Sequence, residues 1–240
     1  MKRTERHHLK EDPLAASVLA LRETASGSRS IGIVVGLIVT GLVVVGGLYG
    51  WQQSRLAQSG EMLATAMSVL EAPIASENEE QMGSAGAYSS IEEKLEAALP
   101  LLVAAAEEYP GLPAGIVARY QAASVLVTLG RVEEAVGHFE QVSETDTDGI
   151  YGNMARLGRA EALLSNGDYE EAIALLEVES ASSSGDIPID AVLMRLGIAY
   201  QLANQDTEAV SIFSRLLIEY PGSPYRFDAE TKLDSLSGGG

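Results

Sequence analysis

The chain has 240 residues, enough for one domain with additions or for two small ones. Apolar residues make up 46 % and aromatics only 5 %, a composition that suits close-packed helices and disfavours a β-sandwich. Cysteine is absent, which excludes disulfides, thiolate metal sites, a cysteine nucleophile and a lipidated N-terminal cysteine, and the net charge of −18 excludes binding to a nucleic-acid backbone.

Residues 1–30 are a polar tail with Lys2, Arg3, Arg6, Lys10, Arg22 and Arg29. Residues 31–50, IGIVVGLIVTGLVVVGGLYG, follow without a single charge. About twenty helical residues cross the roughly 30 Å hydrocarbon core of a bilayer. Trp51 and Tyr49 stand where an aromatic anchor belongs. A cleavable signal would be shorter and carry a small-residue cleavage site, so the pattern predicts an uncleaved transmembrane helix in contact with lipid. The positive-inside rule places the N-terminus in the cytoplasm and residues 51–240 outside. The tail carries +2 and the exterior part −20, consistent with an anionic cytoplasmic leaflet. Gly32, Gly36 and Thr40 recur at i, i+4 and i+8, a small-residue stripe that permits close helix contact within a homo-oligomer or against a multispan partner.

Residues 51–71 read as a helix with Leu56, Leu63, Met67 and Leu70 on its apolar positions, continuing the span and serving as the first helix of a leading half-repeat. Residues 72–90 hold turn formers and acids and read as a mobile insertion. Together 51–90 form a juxtamembrane segment. Ser90-Ile91-Glu92-Glu93 is a capping box for the next helix, within which Pro100 predicts a kink or a break.

Residues 91–237 carry a repeat. LGRVEEAVGHFE (129–140), NGDYEEAIALLE (166–177) and ANQDTEAVSIFS (203–214) align at an offset of 37. A turn residue (Gly130, Gly167 or Asn204) precedes a helix. Five residues on stands Ala135, Ala172 or Ala209, and four further on Phe139, Leu176 or Phe213. EYPGLP at 108–113 recurs as EYPGSP at 219–224, three offsets away. One offset back from the first repeat, Ala98 and Leu102 fall on the small and bulky positions. Each repeat predicts two helices, with first helices at 113–129, 150–165 and 187–203 and second helices at 132–144, 169–180 and 206–219. The alanine lets a neighbouring helix approach and the bulky residue fills the gap one turn on. No single pair buries its own face, so the pairs must stack. Ser223-Pro224 predicts a terminal helix to Ser235 whose Arg226, Glu230 and Lys232 cap the stack; residues 238–240 are a disordered tail.

This pattern resembles the tetratricopeptide repeat (TPR) over about 91–234. In the last repeat Leu193, Leu196, Gly197, Tyr200, Ala209, Phe213, Leu216 and Pro221 match the family's signature positions. In the first two repeats Arg119 and Arg156 replace an aromatic and the closing proline is missing. The period exceeds the family's usual 34, and the surplus falls in the loops 145–149 and 181–186. The resemblance implies an all-α fold, an N-terminal single transmembrane helix followed by a TPR-like α-solenoid. It also implies an inner groove lined by first helices: Val117, Tyr120, Ser124 and Val127; Met154, Leu157, Glu161 and Leu164; Ala191, Met194, Ile198 and Gln201. That lining suits an apolar peptide or partner helix. No lysine lies between Lys94 and Lys232, against the family's carboxylate-clamp mode. The basic, histidine-containing start (RHHLKEDPLA), one span and an exterior array also resemble the YfgM-like family of bacterial inner-membrane proteins. That resemblance implies association with the Sec translocon and periplasmic chaperones.

Chemistry is sparse. His138 is the one histidine after the span; His7 and His8 lie in the tail, and no serine-nucleophile motif accompanies them. Glu133-Glu134 and Glu170-Glu171 open second helices, where they favour the helix dipole. The DTDG turn at Asp146–Gly149 lacks the glutamate a calcium loop needs. No enzyme, cofactor or metal site is expected. Two functions remain open: a scaffold beside the translocon that acts on exported clients with chaperones, and an envelope-assembly or division scaffold that binds one fixed partner.

Overall fold

The computed structural model describes residues 29–75, 88–181 and 187–238. The expectations for residues 1–28, for most of the 72–90 insertion, for nearly all of the 181–186 loop and for the last two glycines lie outside the described residues. The chain divides into two parts, Met1–Arg55 and Leu56–Gly240.

The described portion of the first part is helical. Helix α1 has the bounds Arg29–Leu70. Ile33, Leu37, Leu42, Val43 and Leu48 are each at least 60 % exposed. A helix that is apolar on every face suits lipid or other apolar helices rather than water. Thr40 donates to the Gly36 carbonyl at 2.9 Å, which satisfies its hydroxyl within the helix. Gly36 meets nothing within 4 Å.

The second part is a stack of helices: α2 (Ile91–Glu108), α3 (Pro113–Thr128), α4 (Val132–Thr145), α5 (Ile150–Asn166), α6 (Tyr169–Ala181), α7 (Ile189–Leu202), α8 (Asp206–Glu219) and α9 (Arg226–Ser237). From α2 onward each helix packs on the next, and the first helices α3, α5 and α7 also touch in succession. Met62, Leu63, Ala66 and Leu70 at the end of α1 join the core around Leu99 and Leu102.

Turn chemistry sets the hairpins. Gly130, Gly167 and Asn204 are the described residues outside the first part's helix with positive φ: 73°, 90° and 59°. Each is followed by the same bond back into the helix before it. Arg131 N–H donates to Leu126, Asp168 to Leu163 and Gln205 to Tyr200, at 2.9, 2.9 and 2.8 Å. This is the six-to-one closure of a Schellman turn, which needs a left-handed residue at that point.

Two glycines not singled out in the sequence allow successive repeats to meet. A Cβ on Gly115 would lie 1.8 Å from the Tyr109 carbonyl oxygen, and one on Gly152 would lie 1.9 Å from that of Asp146. Both pairs are one repeat offset apart. The Asp146 carboxylate accepts from Gly152 N–H at 3.0 Å, so this aspartate serves the start of α5.

Three expectations are corrected. Of the two outcomes expected at Pro100, the break does not occur: α2 is one piece, with the proline on its exposed side. The terminal helix starts at Arg226, two residues after Pro224, because Ser223 Oγ accepts from Tyr225 N–H and holds a turn first. The capping box is shifted. Ser90 Oγ accepts from Glu93 N–H at 3.1 Å, but the Glu93 carboxylate accepts from Ser89 N–H at 2.8 Å rather than from Ser90. The Ser89 hydroxyl and N–H together hold the Glu93 pKa below the usual range.

The apolar core forms two clusters. One reaches from Ala66 of α1 to Ala155 and Ala162 of α5; the other runs from Ala160 of α5 to Ala229 of α9. Around this seam the second repeat replaces apolar positions with ion pairs. Arg156 and Glu179 stand where the third repeat has Leu193 and Leu216. Their side chains are 18 % and 11 % exposed, and Arg156 Nε lies 3.1 Å from Glu179 Oε1, at ion-pair distance but outside hydrogen-bond geometry.

Candidate interaction surfaces

The signature positions do structural work. Ala98, Ala135, Ala172 and Ala209 are fully buried, as are Leu102, Leu176 and Phe213, with Phe139 nearly so. Small side chains on one helix admit the backbone of the next, and the rings close the gap. Gly197 faces the Phe213 ring, Pro221 is exposed, and Tyr200 donates to Glu177 Oε1 at 2.5 Å.

The first helices place the inner positions unevenly. Val117, Tyr120, Ser124 and Val127 are half-buried on α3. Tyr120 makes edge contacts with both Phe139 and Tyr151, ring centroids 5.6 Å apart. On α5, Met154 is exposed, Leu157 and Leu164 are half-buried, and exposed Glu161 accepts from Arg195 of α7 at 2.7 Å. On α7, Ile198 and Gln201 are half-buried, whereas Ala191 and Met194 are buried. Met194 belongs to the second core cluster, so it supports the wall rather than facing a ligand.

A concavity lies between second helices. A cleft of about 470 Å³ separates α2 from α4 above the end of α3. Leu99, Pro100, Val103 and Leu126 give it an apolar floor; Glu96, Arg131, Glu134 and His138 stand around it. Arg131 pairs with Glu134 at 2.7 Å and lies 3.8 Å from Glu96. His138 Nδ1 is buried without a hydrogen-bond partner. Burial, aided by the nearby Arg119, pushes the imidazole pKa down against the opposing pull of Glu134 and Glu107, which keeps the ring neutral near pH 7.

The repeat offset explains why this crevice is open. At the equivalent place in the second repeat, Arg159 bridges Glu140 and Glu171, at 3.0 Å each, and so ties α4 to α6. In the third, Tyr200 reaches across from α7 to Glu177 of α6. The residue matching Arg159 in the first repeat is Ala122 and that matching Tyr200 is Leu126, both too short to bridge. Sequence reasoning missed this site because it compared repeats for shared residues. Their differences at single positions carry the signal.

Residues 120–187 and 191–223 each match a tetratricopeptide-repeat family model. Among solved structures, nearly identical TPR-like repeats from Podosopora anserina are similar at 22 % identity, covering 60 % of this chain and 80 % of theirs with a TM-score of 0.51. A point variant of those repeats matches at 21 % identity, with 60 % and 79 % covered and the same TM-score. MamA from residue 41 to its end, of Desulfovibrio magneticus RS-1, matches at 22 % identity over 60 % of this chain and 74 % of its own, with a TM-score of 0.47. No curated protein matches significantly. The solved structures speak to fold alone. The two family models and the left-handed turns at one fixed offset identify residues 120–223 as tetratricopeptide repeats.

Proposed function

We propose that this protein is a membrane-anchored scaffold for protein–protein interaction, facing the periplasm of a bacterial inner membrane and ancillary to the Sec translocon and its chaperones. One observation carries the reading: a charge-free helix, exposed on all faces from residue 32 to 54 apart from Val35 at intermediate exposure, belongs to the same chain as a stack of protein-binding repeats. The basic tail before the helix supports a cytoplasmic N-terminus. The layout it shares with the YfgM-like family supports the translocon assignment. Exposed Met154 and half-buried Val117, Tyr120, Val127, Leu157 and Ile198 offer an adaptable apolar surface on the first helices for a client segment.

A photo-crosslinking residue at position 154 in living cells tests the proposal. The reading predicts adducts with channel subunits, chaperones and varied exported clients. Adducts with a single stoichiometric partner and none with the channel would overturn it in favour of an envelope-assembly scaffold.

A further inference from the structure

The cleft between α2 and α4 has a chemistry that the first-helix surface lacks. Its floor is apolar, but Glu96 and His138 border it with hydrogen-bonding capacity to spare, and His138 Nδ1 accepts when the ring proton is on Nε2. Glu96 is held only by a distant contact, 3.8 Å from Arg131, whereas Glu134 is fully engaged by the same guanidinium through two 2.7 Å bonds. Pro100 has no N–H, so the Glu96 carbonyl lacks its usual helical donor on the same stretch of α2. His138 Nδ1 is buried and unpaired. A purely apolar occupant would leave that nitrogen unsatisfied, which costs about 1–3 kcal/mol. An anion would meet Glu96 with no free cation to receive it, since Arg131 is already committed.

We infer that this cleft receives an arginine side chain from a partner protein, with the aliphatic stem on Leu99, Pro100, Val103 and Leu126 and the guanidinium between Glu96 and His138. The chain supplies its own precedent. In the second repeat the equivalent place holds Arg159, whose guanidinium bridges Glu140 and Glu171 of the two flanking helices at 3.0 Å; the first repeat has Val103 and Glu134 at those two positions and offers Glu96 and His138 beside them instead. Ala122 removes that internal arginine from the first repeat and leaves the place for an external one. The planar fork of guanidinium serves two acceptors at once, which a lysine ammonium does less well. The negative balance of the chain favours approach of a basic segment. This site is separate from the first-helix surface and does not depend on it.

The test is fluorescence anisotropy with the full chain in detergent micelles. The probes are blocked, labelled eight-residue peptides of leucine and alanine with one central arginine, lysine or alanine. The inference predicts binding of the arginine peptide at least about tenfold tighter than that of the alanine peptide, with lysine between them. Glu96→Gln at the exposed rim weakens the arginine peptide at least about fivefold. Ala122→Arg, which places an internal arginine at the cleft, abolishes binding, while Met154→Asp on the first-helix surface leaves it unchanged. Equal affinity for the arginine and alanine peptides, no measurable binding, or an unchanged Glu96→Gln would overturn the inference. Loss of binding in Met154→Asp alone would assign the peptide to the first-helix surface and overturn it as well.

Discussion

The ring of Phe213 lies so close to Gly197 that a Cβ built on the glycine would sit 2.5 Å from it. Phe213 is fully buried, so the ring has nowhere to move. The second repeat solves the same packing problem with Ala160 and Leu176, a larger residue facing a smaller one. Gly197→Ala therefore costs about 1–3 kcal/mol by overpacking. The double variant Gly197→Ala with Phe213→Leu, which copies the second repeat, recovers part of that loss. Thermal unfolding followed by circular dichroism in micelles checks both. A harmless Gly197→Ala contradicts the packing account.

The turn residues allow a sharper test of backbone conformation. Gly130 and Gly167 hold left-handed angles with open space around the missing side chain, so only the backbone resists substitution. Gly167→Ala costs about 1–2 kcal/mol. Asn204 adopts the same conformation with φ of 59°, which asparagine tolerates, so Asn204→Gly changes stability little and Asn204→Val costs about as much as Gly167→Ala. Equal stability of Asn204→Val and wild type would show that the turn does not hold this conformation.

Arg156 and Glu179 make a pair whose worth depends on which member is removed. Arg156→Leu leaves a largely buried carboxylate without its cation and costs about 2–4 kcal/mol. Replacing both by leucine recreates the third repeat's Leu193 and Leu216, which are fully buried, and restores or raises stability. A double variant less stable than Arg156→Leu alone would mean that the seam cannot accept an apolar pair.

Two groups tie stability to pH. Burial, with the neighbouring Glu177, pushes the Tyr200 phenol up from 10.0 to about 12. A raised folded-state value means that its contribution is present below pH 10 and fades between about 10 and 12. Tyr200→Phe removes that alkaline loss. His138 moves the other way: burial lowers its pKa, so the unfolded chain binds the proton first and stability declines as pH falls below 6.5. His138→Gln flattens this acid arm. Unfolding midpoints across pH, with and without each substitution, check the signs.

The fold was readable because its repeat is enforced by backbone geometry. Gly130, Gly167 and Asn204 share one conformation, Ala135, Ala172 and Ala209 share one contact, and a fixed offset exposes both. Helix ends were also close, since Pro113 and the acidic first turns of α4, α6 and α8 leave local marks. Surfaces were less legible. Met194 lies on a helix face that the family resemblance assigns to a groove, yet it is buried within the second core cluster. The α2–α4 cleft depends on what Ala122 and Leu126 fail to reach, and an absent bridge leaves no motif. Gly115 and Gly152 stand one offset apart, so a self-comparison extended to the first helices would have found them.

The central claim is a single-pass anchor with the repeats outside the cytoplasm, and the cysteine-free chain allows it to be tested directly. Single cysteines at Thr4 and at exposed Thr207 are labelled in spheroplasts with a membrane-impermeant maleimide. The account predicts that Thr207→Cys reacts in intact spheroplasts and Thr4→Cys reacts only after lysis. The opposite pattern, or protein recovered in the soluble fraction with both positions protected until lysis, would contradict it.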